Sequence, residues 1–103
     1  MQRLAVVLLC VLFAPAAVHA QMKGDPATGR VIAERWCSAC HLVSPRQTSA
    51  SADVLTFMAI AAKTGSDLKS LEAFLADPHP LMADPGLTRR DIGDLVAYIA
   101  SLR

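Results

Sequence analysis

The sequence lacks an excess of charge, a credible β-strand and any internal repeat. Ten Lys and Arg side chains stand against nine Asp and Glu side chains. Because no basic run or stripe is present, we expect no nucleic-acid partner. Because no stretch shows the strict apolar–polar alternation of a half-buried strand, the sequence predicts an all-α fold.

Cysteine is also scarce, and Cys10, the first of three, lies in an apolar leader. Residues 1–20 combine a short basic start, a long apolar run and small residues ending at Ala20, which is the pattern of a secretory signal peptide. We predict cleavage after Ala20 and export of residues 21–103 to the periplasm. The run is too short for a comfortable membrane span, so we expect no stable membrane insertion after cleavage. An uncleaved anchor is the alternative.

After cleavage only Cys37 and Cys40 are left, within the sequence Cys37-Ser38-Ala39-Cys40-His41. Cys-x-x-Cys-His is the attachment signature of a c-type haem. The two intervening residues let one helical turn present both sulfurs to one edge of a flat ring, and the following imidazole can ligate the iron. A domain of about 80 residues buries little of its surface and often needs such a staple.

Two other interpretations fit the same cysteines. With Trp36 in front, the motif also matches the Trp-Cys-x-x-Cys of thioredoxin-like oxidoreductases. That fold needs a strand before the motif and a βαβ frame, and neither is indicated here. A zinc site would need a fourth strong ligand, and His79 is the only spare histidine after cleavage. Covalent haem is therefore the favoured interpretation.

Two predicted helices lie at the ends of the mature chain. The first begins at Asp25, a capping residue, with Pro26 at the first helical position. It runs to the cysteines and places Gly29 and Ala33 on one face of small residues, which another helix can approach closely. The last helix follows a capping box that starts at Thr88, and it carries apolar residues at helical spacing.

Two further short helices are predicted between these ends. Residues 54–63 form one of them, after the capping residue Asp53, and Gly65 stands where a C-terminal cap belongs. The next begins at Ser66. Residues 42–52 are rich in polar residues and are interpreted as loop.

Taken in order, these features resemble the small bacterial class I cytochromes c. The resemblance depends on the Cys-x-x-Cys-His motif, on Gly29 in the preceding helix, on the Pro-His-Pro-Leu-Met stretch that ends at Met82, and on the capped last helix. It implies a cytochrome c fold, with N- and C-terminal helices crossing around one covalently attached haem c. It also implies a monohaem electron carrier rather than an enzyme.

The resemblance identifies His41 as one axial ligand of the iron and Met82 as the other, with Met58 and His79 as alternatives to Met82. It implies a backbone carbonyl that orients His41, and Pro45 marks the expected place. The implied partners are membrane or periplasmic oxidoreductases that dock transiently. The alternatives are a haem subunit of a larger periplasmic oxidoreductase or, without Met82 on the iron, a ligand-binding or peroxidatic haem protein.

One departure from the family pattern concerns the helix crossing. Ala33 stands where the family usually has an aromatic residue, and Trp36 is expected to fill part of that space. Several large side chains are expected to line the haem pocket or the core. They are Trp36, Phe57, Phe74, Leu75, Leu81 and Tyr98.

Overall fold

Four α-helices form the framework of the domain. The structure is a computed structural model that describes residues 24–77, 82 and 84–103. The helices are α1 (Pro26–Trp36), α2 (Phe57–Thr64), α3 (Leu68–Ala76) and α4 (Arg89–Ala100). No residue of these described ranges lies in a β-strand. The predicted all-α fold is confirmed.

Some predicted features lie outside the described residues. These are the predicted signal peptide, residues 1–20, and residues 78–81 and 83 of the proline-rich loop, including His79 and Leu81. Within the described part of the chain, every helix is too short or too polar to cross a membrane.

The N-terminus of α1 is capped as the sequence predicts. The Asp25 carboxylate accepts hydrogen bonds from the Ala27 N–H at 3.1 Å and from the Thr28 hydroxyl at 2.6 Å. Pro26 follows in the first turn, where its missing N–H costs no helical hydrogen bond. The hydrogen bond from the Thr28 hydroxyl, with the one from Ala27, lowers the pKa of Asp25. The start of the helix that leads to the cysteines is thus fixed locally.

The predicted capping box of α4 is also present. The Thr88 hydroxyl oxygen accepts from the Asp91 N–H at 3.1 Å, and the Thr88 N–H donates to the Asp91 carboxylate at 2.9 Å. These bonds satisfy two N–H groups that have no partner within the helix. The hydrogen bonds to Thr88 lower the pKa of Asp91.

The helix α2 begins later than predicted. Its cap is Thr56 rather than Asp53, and the Thr56 hydroxyl accepts from the Ala59 N–H at 3.0 Å. The helix does not start earlier because backbone groups at this point are used elsewhere. The Leu55 carbonyl accepts from His41, and the N–H of Phe57, the first helical residue, donates to the Leu42 carbonyl at 2.9 Å.

The cap that ends α2 is the predicted residue, whereas the cap that begins α3 is one residue later than predicted. Gly65 has a φ of 56° and caps α2, as expected, because glycine adopts positive φ at little cost. The cap of α3 is Asp67 instead of the predicted Ser66, and its carboxylate accepts from the Ser70 N–H at 3.2 Å.

The helices α1 and α4 cross at the small-residue face of α1. Gly29 and Ala33 are both buried there. A Cβ atom on Gly29 would lie 1.9 Å from the Asp94 carbonyl oxygen, so only glycine permits this approach. The Asp94 side chain is also buried, and its Oδ1 accepts from the Asp25 N–H at 2.7 Å. The predicted helix crossing is confirmed.

The core lies where α4 meets the other helices and the loop after His41. Its buried apolar residues are Ala33, Val43, Phe57, Ala61, Leu71, Ile92, Leu95, Val96, Tyr98 and Ile99. Of the aromatic residues expected in the core or haem pocket, Phe57 and Tyr98 are buried in the core, whereas Trp36 and Phe74 are half exposed, at 52% and 51%. The expected filling of the helix crossing by Trp36 is not seen, because Gly29 and Ala33 let the two helices close it directly. The Arg35 guanidinium carbon lies 4.9 Å from the centroid of the Trp36 ring.

Tyr98 connects α4 to the loop after His41. Its hydroxyl donates to the Val43 carbonyl at 2.6 Å, and both residues are buried. We expect Tyr98→Phe to lower the free energy of unfolding by about 1–3 kcal/mol, because the ring is kept while a buried carbonyl loses its donor. Guanidinium unfolding of the holoprotein measures the change. An unchanged midpoint would mean that water reaches this carbonyl.

Candidate functional site

The two cysteines lie in a turn that continues directly from α1. The N–H groups of Cys37 and Ser38 donate to the Ala33 carbonyl at 2.9 and 3.1 Å. Those of Cys40 and His41 donate to the Cys37 carbonyl at 3.2 and 2.9 Å. This winding gathers both thiols and the imidazole within about one turn. Both thiols are free, with Cys37 partly buried and Cys40 exposed.

The electrostatics of Cys37 differ from those of a redox dithiol. Burial, with a smaller contribution from Cys40, raises the pKa of the Cys37 thiol to about 11. The attacking cysteine of a thioredoxin-like enzyme instead needs a lowered pKa, because the thiolate is the nucleophile. The motif also follows a helix rather than a strand. Both findings argue against the thioredoxin-like interpretation.

The imidazole of His41 is oriented by a backbone carbonyl. Its Nδ1 lies 2.6 Å from the Leu55 carbonyl oxygen. Because a carbonyl only accepts, Nδ1 must carry the proton, and the lone pair is left on Nε2, free to bind a metal. The Phe57 ring lies beside the imidazole, with centroids 5.5 Å apart. The acceptor expected near Pro45 is thus found ten residues further on, at Leu55.

The residues present fit a covalently attached haem. Two free thiols and one imidazole with an available Nε2 are the donors that it needs. Large apolar side chains next to these donors in the chain are half exposed. Trp36 precedes Cys37, Leu55 (53%) carries the carbonyl that holds His41, and Val54 (44%) precedes Leu55. An apolar ring would cover such surface favourably.

The described residues 24–77, 82 and 84–103 contain no group of three or more His, Cys, Asp or Glu side chains able to hold a metal ion. In particular, the side chains of Cys37, Cys40 and His41, although they follow one another within a turn, do not form such a group. A structural zinc site needs four ligands around a single ion. Attachment to a porphyrin needs the opposite, two sulfurs at the ring edge and a nitrogen at its centre.

Met82 lies in a bend and is partly buried. Its immediate neighbours in the chain, like His79, are outside the described residues. Met58, the alternative methionine, lies inside α2 and packs against the hydrophobic core. A methionine of this kind is ordinary packing material. Met82 therefore stays the favoured second ligand.

Two groups that shape the site are not apparent from the sequence. The Leu55 carbonyl orients His41, and the Gln47 amide donates to the Ser38 and His41 carbonyls at 2.7 and 3.0 Å. A backbone carbonyl has no residue type to mark it. Gln47 stands in a polar stretch where nothing distinguishes it from its neighbours.

Comparison with known proteins shows similarity to cytochrome c-552 of Bradyrhizobium diazoefficiens. The two sequences are 40% identical over 96 residues, which cover 92% of this chain and 92% of the relative. No family model matches the chain, and no solved structure matches it significantly. The similarity extends over nearly the whole length of both proteins.

Proposed function

Because this chain belongs to the class I monohaem c-type cytochromes, which bind haem c covalently, we propose that Cys37 and Cys40 attach that haem and that His41 and Met82 ligate its iron on opposite faces. The protein is an electron carrier. The observation that best supports the ligand assignment is the His41 imidazole, whose protonated Nδ1 donates to Leu55 directly after the two free thiols. The haem supplies one-electron exchange between the ferric and ferrous states.

The chain's own residues then have separate tasks. The Leu55 carbonyl fixes the imidazole plane and raises the basicity of Nε2. Met82 closes the opposite face, so that no position is open to substrate or oxygen, and its thioether favours the ferrous state. Because Cys40 is exposed, a haem edge attached there would lie near the surface, where a partner can approach.

The proposed partners are membrane or periplasmic oxidoreductases that bind briefly through small patches. Export is supported by residues 1–20, which have the basic start, apolar run and small terminal residues of a signal peptide. Cleavage after Ala20 leaves residues 21–103 as the periplasmic domain.

Replacing both Cys37 and Cys40 with serine is expected to remove covalent haem completely. Serine does not form a stable bond to the porphyrin, while backbone winding and size are kept. Haem staining after denaturing electrophoresis measures the effect, and the intact mass of the unaltered protein from the same fraction reports cleavage after Ala20.

Ala39→Ser is the matched control, because it adds a hydroxyl at an exposed position between the cysteines and keeps both thiols. It should stain like the unaltered protein. Staining of the double serine variant would mean that haem is attached elsewhere, and absence of staining from the unaltered protein would refute covalent haem at this motif.

A further inference from the structure

The side chain of Gln47 holds the turn that carries both thiols and His41. Its Nε2 lies 2.7 Å from the Ser38 carbonyl oxygen, 3.0 Å from that of His41 and 3.0 Å from that of Ser49, so its two N–H bonds are shared among three acceptors. Its Oε1 accepts from the Val43 N–H at 2.9 Å. One amide thus contacts the turn in its middle and at its end. We propose that Gln47 is a positioning residue for haem attachment; this inference rests on the function proposed above.

Two other carbonyls of the turn, those of Ala39 and Cys37, are held from the same loop or from within. The Ala39 carbonyl accepts from both the N–H and the hydroxyl of Ser51, at 2.8 and 2.7 Å. The Cys37 carbonyl accepts from within the turn, as described above. Gln47 is therefore the partner of two carbonyls, those of Ser38 and His41, that lie on either side of Cys40.

Removing this amide frees the turn at these two points. A backbone carbonyl without its donor rotates toward water, and rotation at Ser38 or His41 would move the neighbouring Cys40 thiol. Ser38 keeps a second contact through its hydroxyl, which donates to the Glu34 carbonyl. Cys37 is held by the hydrogen bond of its own N–H to the Ala33 carbonyl. Cys40 keeps the hydrogen bond of its N–H to the Cys37 carbonyl, at 3.2 Å, but the two carbonyls that lose their donor lie on either side of it. The displacement therefore falls mainly on Cys40.

Haem attachment is sensitive to this placement because both bonds form to one rigid ring. Each thiol adds across one vinyl group: the S–H bond and the π bond are replaced by a C–S bond and a C–H bond. Nothing leaves, and no electrons are exchanged with an outside reagent. A thiol that is out of position leaves its vinyl group intact, and the chain then carries a singly attached haem.

The experiment compares Gln47→Glu and Gln47→Leu with the unaltered exported protein. Glu keeps the size and the acceptor toward Val43 but removes the donating amide, and Leu removes both. The readouts are the haem content per chain and the pyridine haemochrome α band, which shifts to longer wavelength when one vinyl group is left. We expect the doubly attached fraction to fall several-fold in both variants.

Two controls separate positioning from general loss of stability. Thr48→Ala alters the exposed neighbour of Gln47 in the same loop. Ile99→Val removes a methyl group from a core residue that is 1% exposed and belongs to α4. Both should keep the doubly attached haemochrome band, and Ile99→Val should do so although it lowers the unfolding midpoint.

The results distinguish failure of this inference from failure of the proposed function. If both Gln47 variants keep the doubly attached band and full haem content, the inference is wrong. It is also wrong if Ile99→Val shifts the band as much as Gln47→Glu, because the effect then follows stability alone. If the unaltered protein carries no covalent haem, the proposed function fails first, and that result is distinct from either of the others.

Discussion

Replacing Met82 with alanine is expected to abolish the sulfur-to-iron charge-transfer band of the ferric protein and to open the iron to carbon monoxide. Alanine has no donor atom, so the face opposite His41 takes up water or a small ligand. The reduction potential should fall by a sizeable part of the roughly 0.8 V range that axial ligands span, because the thioether no longer favours ferrous iron. Absorption spectroscopy and a redox titration measure both effects.

Met58→Ala is the matched control for this prediction. Met58 packs against the core from within α2, so its loss should cost about 2 kcal/mol of unfolding free energy and leave the band unchanged. If the charge-transfer band is lost in Met58→Ala and kept in Met82→Ala, the second iron ligand is Met58 and not Met82. If only His79→Ala changes the spectrum, the iron has two histidine ligands.

Gly29→Ala is expected to lower the unfolding free energy by about 3 kcal/mol or more. A Cβ atom there would lie 1.9 Å from the Asp94 carbonyl oxygen and 2.8 Å from the Tyr98 Cβ. Neither atom is the end of a flexible side chain, so α1 and α4 must separate. Separation also loosens the burial of Ala33, one turn further along α1. Guanidinium unfolding of the holoprotein measures the loss, which is a large part of the roughly 5–15 kcal/mol that stabilises a domain.

Gly93→Ala is the same type of substitution, but it is expected to raise the free energy of unfolding instead of lowering it. Gly93 lies in the interior of α4, and a Cβ atom there would meet nothing within 4 Å. Because alanine favours helix over glycine, we expect a gain of about 0.5–1 kcal/mol. Equal effects of the two substitutions would contradict the close approach at Gly29 and would mean that only helix propensity is being measured.

Most features that depend on neighbouring residues in the chain were predictable from the sequence, although the cap of α3 is Asp67 and not the predicted Ser66. The cap at Asp25 and the capping box at Thr88 depend on hydrogen bonds across three residues. The cap at Gly65 depends on the positive φ of that residue, which glycine adopts readily. The small-residue face of α1 also predicted the crossing, since Gly29 and Ala33 leave room for nothing but another backbone.

Features set by distant contacts were not predictable. The start of α2 lies at Phe57, later than predicted, because the Leu55 carbonyl is bonded to His41 and the Phe57 N–H to the Leu42 carbonyl. The acceptor for His41 is a backbone carbonyl, which any residue can supply. The prediction of an acceptor near Pro45 was therefore wrong, and nothing in the sequence marked Leu55. Trp36 was expected to fill the crossing by its size, but small residues close that crossing without it.

The most direct test of haem attachment is mass spectrometry of a tryptic digest of the exported protein. Trypsin cleaves after Arg35 and Arg46, so residues 36–46 form one peptide that contains Cys37, Cys40 and His41. We expect this peptide to carry one haem and no thiol that reacts with an alkylating reagent. A peptide without haem, with both cysteines alkylated or joined by a disulfide, would contradict the attachment of haem at this motif.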